Sequence, residues 1–248
     1  MSLLLSLLAA SGGAGNTQPA PVPRLTLSSN VHIHIDANSL YAKWIKEGIE
    51  KVGDLATAIT TSGATATNTA VPGQTWDDMY YTTDDLANAY VPGKTNVLII
   101  GETTNQIYNG GSDVQTTIQK AQRYISARKN EHPDWIILLC GTIPRADLST
   151  DELNKAANQK LIEVDAYQSS HLKDMGVHGW VDFRQYAPEW FALRADGFTA
   201  PFMDSSDTCN VYAGQAATDK VHPINAPRIA FANAIAAALP RLPAKAVA

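Results

Sequence analysis

The chain has 248 residues, of which 45% are hydrophobic and 17% are charged, and its formal net charge is −5. This composition is typical of a globular protein with a real core, in one large domain or two small ones. The acidic balance and the lack of basic runs argue against binding to nucleic acid or to an anionic membrane surface.

The first 24 residues join a short leucine-rich run to a segment rich in Gly, Ala and Pro, which we interpret as an apolar segment followed by a linker. No Lys or Arg precedes the leucines, as a signal peptide would require, and the run is too short to span a bilayer as a helix. We therefore favour an uncleaved anchor, or a segment that docks to a larger assembly, over a secretory signal.

The two cysteines, Cys140 and Cys209, exclude a disulfide-rich scaffold. A single disulfide between them would favour an oxidising compartment. Alternatively Cys140, which lies in the apolar run WIILLC, is a buried free thiol. The sequence leaves both readings open.

Residues 25–248 alternate strand-like and helix-like segments, which predict one domain. We expect strands at 30–36, 57–71, 95–101, 134–144 and 179–184, and helices at 39–53, 75–91, 112–131, 149–176 and 222–239. Uninterrupted apolar strands between helices indicate a parallel sheet covered on both faces. The fold class is therefore α/β, a three-layer α/β/α sandwich with a mainly parallel five-stranded sheet.

Reactive residues of such folds lie just beyond the carboxyl ends of the strands. Ser39, Gly73 and Asn105 follow the first three predicted strands, and TDKVHP places Asp219 three residues before His222. A histidine can deprotonate a serine nucleophile, an aspartate can orient the imidazole, and a backbone N–H and an asparagine amide can stabilise an oxyanion. Three of these residues could instead have purely structural roles: Ser39 as a helix N-cap, and Gly73 and Asn105 as turn residues.

These residues, taken in order, resemble the four blocks of the SGNH (GDSL-type) serine hydrolases. IDANSL is similar to the Gly-Asp-Ser-Leu block, VPGQTWDDM brings the glycine, ETTNQI resembles Gly-x-Asn-Asp, and DKVHP matches Asp-x-x-His. The resemblance spans residues 30–240. The sequence departs from the pattern at four positions, namely Ala37, Asn38, Thr103 and Gln106.

The resemblance implies a flavodoxin-like SGNH hydrolase fold and a serine esterase that needs no cofactor and no metal. Ser39, Asp219 and His222 would be catalytic, and the oxyanion would be held by the Ser39 and Gly73 backbone N–H groups and the Asn105 side chain. Family likeness points to small acyl esters, including O-acetyl groups on carbohydrates. We expect an extracellular or virion-associated location rather than a cytoplasmic one, since the apolar beginning also resembles that of some phage structural proteins.

Two other functions are consistent with parts of the sequence. His32, His34 and Asp36 alternate on the first strand, and His-x-His resembles the amidohydrolase metal motif, but that family needs further ligands at later strand ends. We expect these histidines to face a covering helix and to be hydrogen-bonded. The second alternative is a structural or virion-associated docking protein on the same fold, with catalysis reduced or lost.

Overall fold

A computed structural model describes residues 22–37, 41, 48–81, 89–145, 147–188 and 226–246. Its centre is one sheet of five parallel strands in the order β2-β1-β3-β4-β5. The strands are β1 (Val31–Ala37), β2 (Thr65–Asn68), β3 (Thr95–Gly101), β4 (Ile136–Cys140) and β5 (Gly179–Val181). The predicted five-stranded parallel sheet is confirmed.

Helices cover both faces of the sheet. They are α1 (Gly53–Ser62), α2 (Trp76–Tyr81), α3 (Thr103–Tyr108), α4 (Val114–Glu131), α5 (Asp151–Ser170), α6 (Phe183–Tyr186) and α7 (Ala226–Ala238), with short 3-10 turns at Ile49–Lys51 and Leu239–Arg241. None of the helices in the described ranges is long and apolar enough to cross a bilayer.

Alternating strand residues build two separate cores, one on each face. Ile33 and Ile99 pack into a cluster with α1, α6 and α7. Leu98 and Ile100 pack into the opposite cluster, with Trp76 of α2 and residues of α4. Because successive side chains of a strand point to opposite faces, continuous apolar runs are needed to fill both layers. The predicted three-layer architecture is confirmed.

The segment between β1 and β2 differs from the sequence prediction. We expected a helix to end at Gly53 and a β-prone segment to begin at residue 57, whereas helix α1 occupies Gly53–Ser62. Leu55 and Ile59 of α1 pack into the core beside α7, and this tertiary packing outweighs the β propensity of the threonines. Gly63, at φ 72°, ends the helix in the left-handed conformation, so the strand starts only at Thr65.

Two short helices were not predicted, and both begin at an acidic side chain that follows a strand. The Glu102 carboxylate accepts from the N–H of Gln106 at the start of α3, and that of Asp182 accepts from the N–H of Gln185 at the start of α6. Helices this short carry too little hydrophobic periodicity to be recognised.

A buried ladder of histidines and threonines joins β1 to β2. Nδ1 and Nε2 of His32 lie 2.8 and 3.0 Å from the hydroxyls of Thr65 and Thr67. Nδ1 and Nε2 of His34 lie 2.7 and 3.0 Å from the hydroxyls of Thr67 and Thr69. Both nitrogens of each ring therefore have hydrogen-bond partners, in agreement with the structural role expected from the sequence.

Protonation of His34 is expected to destabilise the fold in acid. Burial, followed by the neighbouring charges of His32 and Arg128, lowers the pKa of His34 from 6.5 to about 3. Because the unfolded chain binds this proton more tightly, the stability contributed by neutral His34 is complete above pH 6.5 and is lost as the pH falls towards 3. We expect a loss of roughly 3 kcal/mol in unfolding free energy at pH 4 from this group.

Urea unfolding of the parent and of His34→Gln between pH 8 and pH 4 measures this loss. The variant cannot take up the proton, so its unfolding free energy should fall less steeply with acid than that of the parent. Parallel curves for the two proteins would contradict the assignment.

Candidate active site

The carboxyl ends of β1 and β3 form the switch point of the sheet. The chain leaves β1 for β2 on one side and then crosses to β3 on the other side, which opens a crevice between the two connections. The loop with Gly73 follows β2, and Asn105 lies in α3 directly after β3. Two of the three predicted oxyanion residues, Gly73 and Asn105, therefore lie at the edge of the sheet where such folds bind ligands.

The other predicted site residues, Ser39, Asp219 and His222, lie outside the described residues. Two flanking positions are described. Ala37 is the last residue of β1, and Tyr41 is buried at 1% exposure. The Tyr41 carbonyl accepts from the N–H of Ile49 at 3.1 Å and from Nδ2 of Asn68 at 2.8 Å, which fixes the chain on the carboxyl side of Ser39.

Tyr41 also explains a glycine at the end of β3. Its hydroxyl and ring lie where a Cβ on Gly101 would be, so only glycine permits this packing. The neighbouring Cys140 is a buried free thiol, and burial raises its pKa to about 12. A thiol with this pKa stays protonated near neutral pH and is a poor nucleophile, while Cys209 lies outside the described residues.

Gly73 lies in an exposed turn with a left-handed backbone. Its φ is 80°, and no atom lies within 4 Å of the place where a Cβ would be. The backbone angle, rather than lack of space, therefore favours glycine here. The next residue, Gln74, is buried, and its carbonyl oxygen accepts a hydrogen bond from Nδ2 of Asn105 at 3.0 Å. The loop of Gly73 and the asparagine, far apart in the sequence, are thus directly joined.

The Asn105 amide is buried and is held at both ends. The side chain is 4% exposed; Nδ2 donates to the Gln74 carbonyl, and Oδ1 accepts from Nη1 of Arg145 at 3.0 Å. A carbonyl can only accept and a guanidinium can only donate, so these partners fix which end of the amide is which. The NH2 group faces the Gly73 loop, and the bond to Gln74 uses one of its two hydrogens.

Two of the four departures from the family pattern take part in hydrogen bonds that fix α2 to α3. Oε1 of Gln106 accepts from the backbone N–H of Trp76 at 3.1 Å, and Nε2 donates to the Ser112 hydroxyl at 2.8 Å. The Trp76 indole N–H lies 3.3 Å from the Thr103 hydroxyl. These contacts support the Gly73 loop from the side of α3, a role that the sequence alone did not indicate.

Glu102 brings a buried carboxyl group to the same place. It is 2% exposed, and Oε1 accepts from the N–H of Gln106 at 3.0 Å. Oε2 has no hydrogen-bond partner among the described residues. Burial raises the pKa of Glu102 well above its ordinary value, against the opposing effect of the Gln106 N–H. Burial therefore disfavours the charged form of this carboxyl group, which lies three residues before Asn105 in the chain.

The loop after β4 is held by a second set of polar contacts. The N–H of Thr142 lies 3.1 and 3.2 Å from the two carboxylate oxygens of Asp165 on α5. Arg184 binds both the Asp165 carboxylate and, at 2.6 Å, the Thr142 hydroxyl. Burial raises the pKa of Asp165, and the Arg184 charge opposes this rise. These contacts anchor the segment that carries Arg145.

Among the described residues, no group of three His, Cys, Asp or Glu side chains could hold a metal ion. Both ring nitrogens of His32 and of His34 are hydrogen-bonded to threonine hydroxyls. Asp36 contacts the Tyr124 hydroxyl on α4. The arrangement of these three side chains therefore gives the metal alternative no support.

Comparison with known proteins identifies the fold. No family model matches the sequence, and no curated protein does. Solved structures do match. A GDSL-like lipase from Bacteroides thetaiotaomicron aligns with a TM-score of 0.57 at 16% identity, over 85% of this chain and 89% of that one. A member of the lipolytic protein G-D-S-L family from Veillonella parvula aligns with a TM-score of 0.54 at 17% identity, over 84% and 96%. The fold that the family resemblance implied is confirmed.

Proposed function

We propose that this protein is a metal-independent serine esterase that acts through an acyl-enzyme. The observation that carries the proposal is the hydrogen bond between Asn105 Nδ2 and the carbonyl that follows Gly73. This bond joins two members of the expected oxyanion set at the carboxyl edge of the sheet. It also directs an amide NH2 group, rather than an amide oxygen, towards the Gly73 loop.

The position of the proposed nucleophile in the chain supports the same conclusion. Ser39 is two residues from Ala37 and two from Tyr41, and both of these are fixed at the carboxyl ends of the strands. Because each residue extends the chain by at most about 3.6 Å, a nucleophile at position 39 is compatible with this edge of the sheet. Likewise, His222 is four residues before the start of α7 in the chain, and α7 packs against the sheet.

In the proposed reaction His222 removes the proton from the Ser39 hydroxyl as its oxygen attacks the ester carbonyl. The carbonyl oxygen becomes an oxyanion, which is stabilised by the Ser39 and Gly73 backbone N–H groups and by the second hydrogen of Asn105 Nδ2. His222, oriented by Asp219, then gives the proton to the leaving alcohol. Water activated by His222 attacks the acyl-enzyme and releases the acid.

We infer small acyl esters as substrates, with O-acetyl groups on carbohydrates as the class to test first. Of the two similar solved structures, one is a member of the lipolytic protein G-D-S-L family and the other is a GDSL-like lipase. The substrate class of this chain therefore needs its own measurement, with acetylated sugars beside p-nitrophenyl esters of increasing acyl length.

Trapping of the acyl-enzyme tests the proposal. The purified protein is mixed with p-nitrophenyl acetate, and the reaction is quenched in acid within the first turnovers. The mass of the protein and of its peptides is then measured by mass spectrometry. We expect a burst of p-nitrophenol and a gain of one acetyl group on the peptide with Ser39, in the presence or absence of EDTA. A correctly folded protein that neither hydrolyses the ester nor becomes acetylated would instead support the docking alternative.

A further inference from the structure

Arg145 is a buried arginine that no sequence motif singled out. It lies in the loop after β4, and its side chain is 7% exposed. Nη1 donates to Oδ1 of Asn105 at 3.0 Å and to Oδ1 of Asn109 at 3.3 Å. The guanidinium also lies over the Tyr108 ring, with 4.8 Å from Cζ to the ring centroid. Arg145 therefore contacts the Asn105 amide at the end that is not bonded to the Gly73 loop.

Neighbouring side chains hold the backbone carbonyl of Arg145 and pair with its charged guanidinium. Its carbonyl oxygen accepts from the Tyr108 hydroxyl at 2.7 Å and from Nδ2 of Asn158 at 2.9 Å. Its Nε and Nη2 bind the two carboxylate oxygens of Asp147 at 2.9 and 2.6 Å. A two-point contact of this kind sets the plane of the guanidinium, and the carboxylate balances most of its charge. Nη1 is thereby aimed at Asn105.

We propose that Arg145 is a positioning residue that keeps the Asn105 amide in the orientation required of an oxyanion donor. This inference rests on the proposed function, because it assumes that Asn105 holds the oxyanion.

The chemistry of the amide explains why an arginine is suited to this role. An asparagine side chain can turn over and exchange its oxygen and nitrogen at little steric cost. In the turned state Oδ1 would face the Gln74 carbonyl, and the NH2 group would face the Arg145 guanidinium. Two acceptor oxygens would then face each other, and so would two donor groups. Such pairs cannot form hydrogen bonds, and unsatisfied polar groups are costly in a buried site. Arg145 and the Gln74 carbonyl together therefore select the donor orientation.

Loss of the Arg145 donor should lower kcat, because the Asn105 amide would no longer be held in the donor orientation. Arg145→Met keeps a long side chain but removes the donor, and we expect kcat on p-nitrophenyl acetate to fall roughly ten- to hundredfold with little change in KM. Arg145→Lys keeps a donor-only group, so it should recover part of that loss.

A double-mutant cycle with Asn105→Ala distinguishes positioning from general support. If Arg145 acts through Asn105, adding Arg145→Met to Asn105→Ala should lower kcat by less than about twofold further. Arg184→Met is the matched control. It removes another arginine, which is half-buried, contacts the same loop through Thr142, and has no hydrogen bond to Asn105 in the described part of the chain, so its effect should be additive with Asn105→Ala.

Each outcome bears on a different hypothesis. Additive effects of Arg145→Met and Asn105→Ala, or a parental kcat in folded Arg145→Met, would overturn the positioning role while leaving the esterase proposal intact. An Asn105→Ala protein with parental kcat would instead remove Asn105 from the oxyanion set. That result would refute the proposed assignment and the inference built on it.

Discussion

Ser39→Ala is expected to lower kcat for p-nitrophenyl acetate by a factor on the order of 10⁴–10⁶, because no other group can replace the hydroxyl that forms the acyl-enzyme. The substitution removes one oxygen atom, so the thermal unfolding temperature should stay close to that of the parent. Initial rates and a thermal melt on the same preparation measure both quantities.

Ser28→Ala is the matched control for this substitution. Ser28 lies just before the amino end of β1, at the opposite end of the strand from Ser39, and its hydroxyl accepts from the N–H of Asn30. Its loss should leave kcat within a few-fold of the parental value, since surface changes away from special features are small. A folded Ser39→Ala protein with the parental rate would refute the assignment of the nucleophile.

Asn105→Ala is expected to lower kcat by about 10²–10³-fold, with KM little changed. This is the usual result when one donor of an oxyanion hole is removed, because the lost bond strengthens only as charge develops in the transition state. The substitution also leaves the Gln74 carbonyl and Arg145 Nη1 without their partner, so a moderate loss of stability should accompany the loss of rate.

The control for Asn105→Ala is Asn109→Ala. Asn109 follows Asn105 by one helical turn and accepts from the same Arg145 nitrogen, but it is exposed, whereas Asn105 is buried and also donates to the Gln74 carbonyl. Asn109→Ala should therefore change kcat far less. Equal effects of the two substitutions would mean that Asn105 acts only as a link to Arg145.

Much of the fold could be predicted because the sheet is buried on both faces. Residues 97–100 and 136–140 are uninterrupted apolar runs, and such runs mark strands of a covered parallel sheet. The segment 57–62 was misassigned because its threonines favour strands locally, while Leu55 and Ile59 of α1 pack with α7, whose position no local pattern reveals.

The candidate site was predictable only in part. Gly73 and Asn105 follow strands, so the rule that ligands bind beyond the carboxyl ends of parallel strands assigned them to the same edge, where Asn105 bonds the carbonyl that follows Gly73. Arg145 and Glu102 could not be assigned in the same way. The contact of Arg145 with Asn105 joins the loop after β4 to helix α3, which lies 40 residues earlier in the chain. The raised pKa of Glu102 arises from burial, which the sequence does not reveal for a single charged residue.

Labelling with a fluorophosphonate probe tests the central claim most directly, because such probes react with a serine only when a base and an oxyanion hole activate it. The folded protein should take up one probe per chain, on the peptide that contains Ser39. Labelling should be lost in Ser39→Ala and after heat denaturation, and slowed in Asn105→Ala. A folded protein that takes up no probe, or takes it up at another serine, would contradict the account.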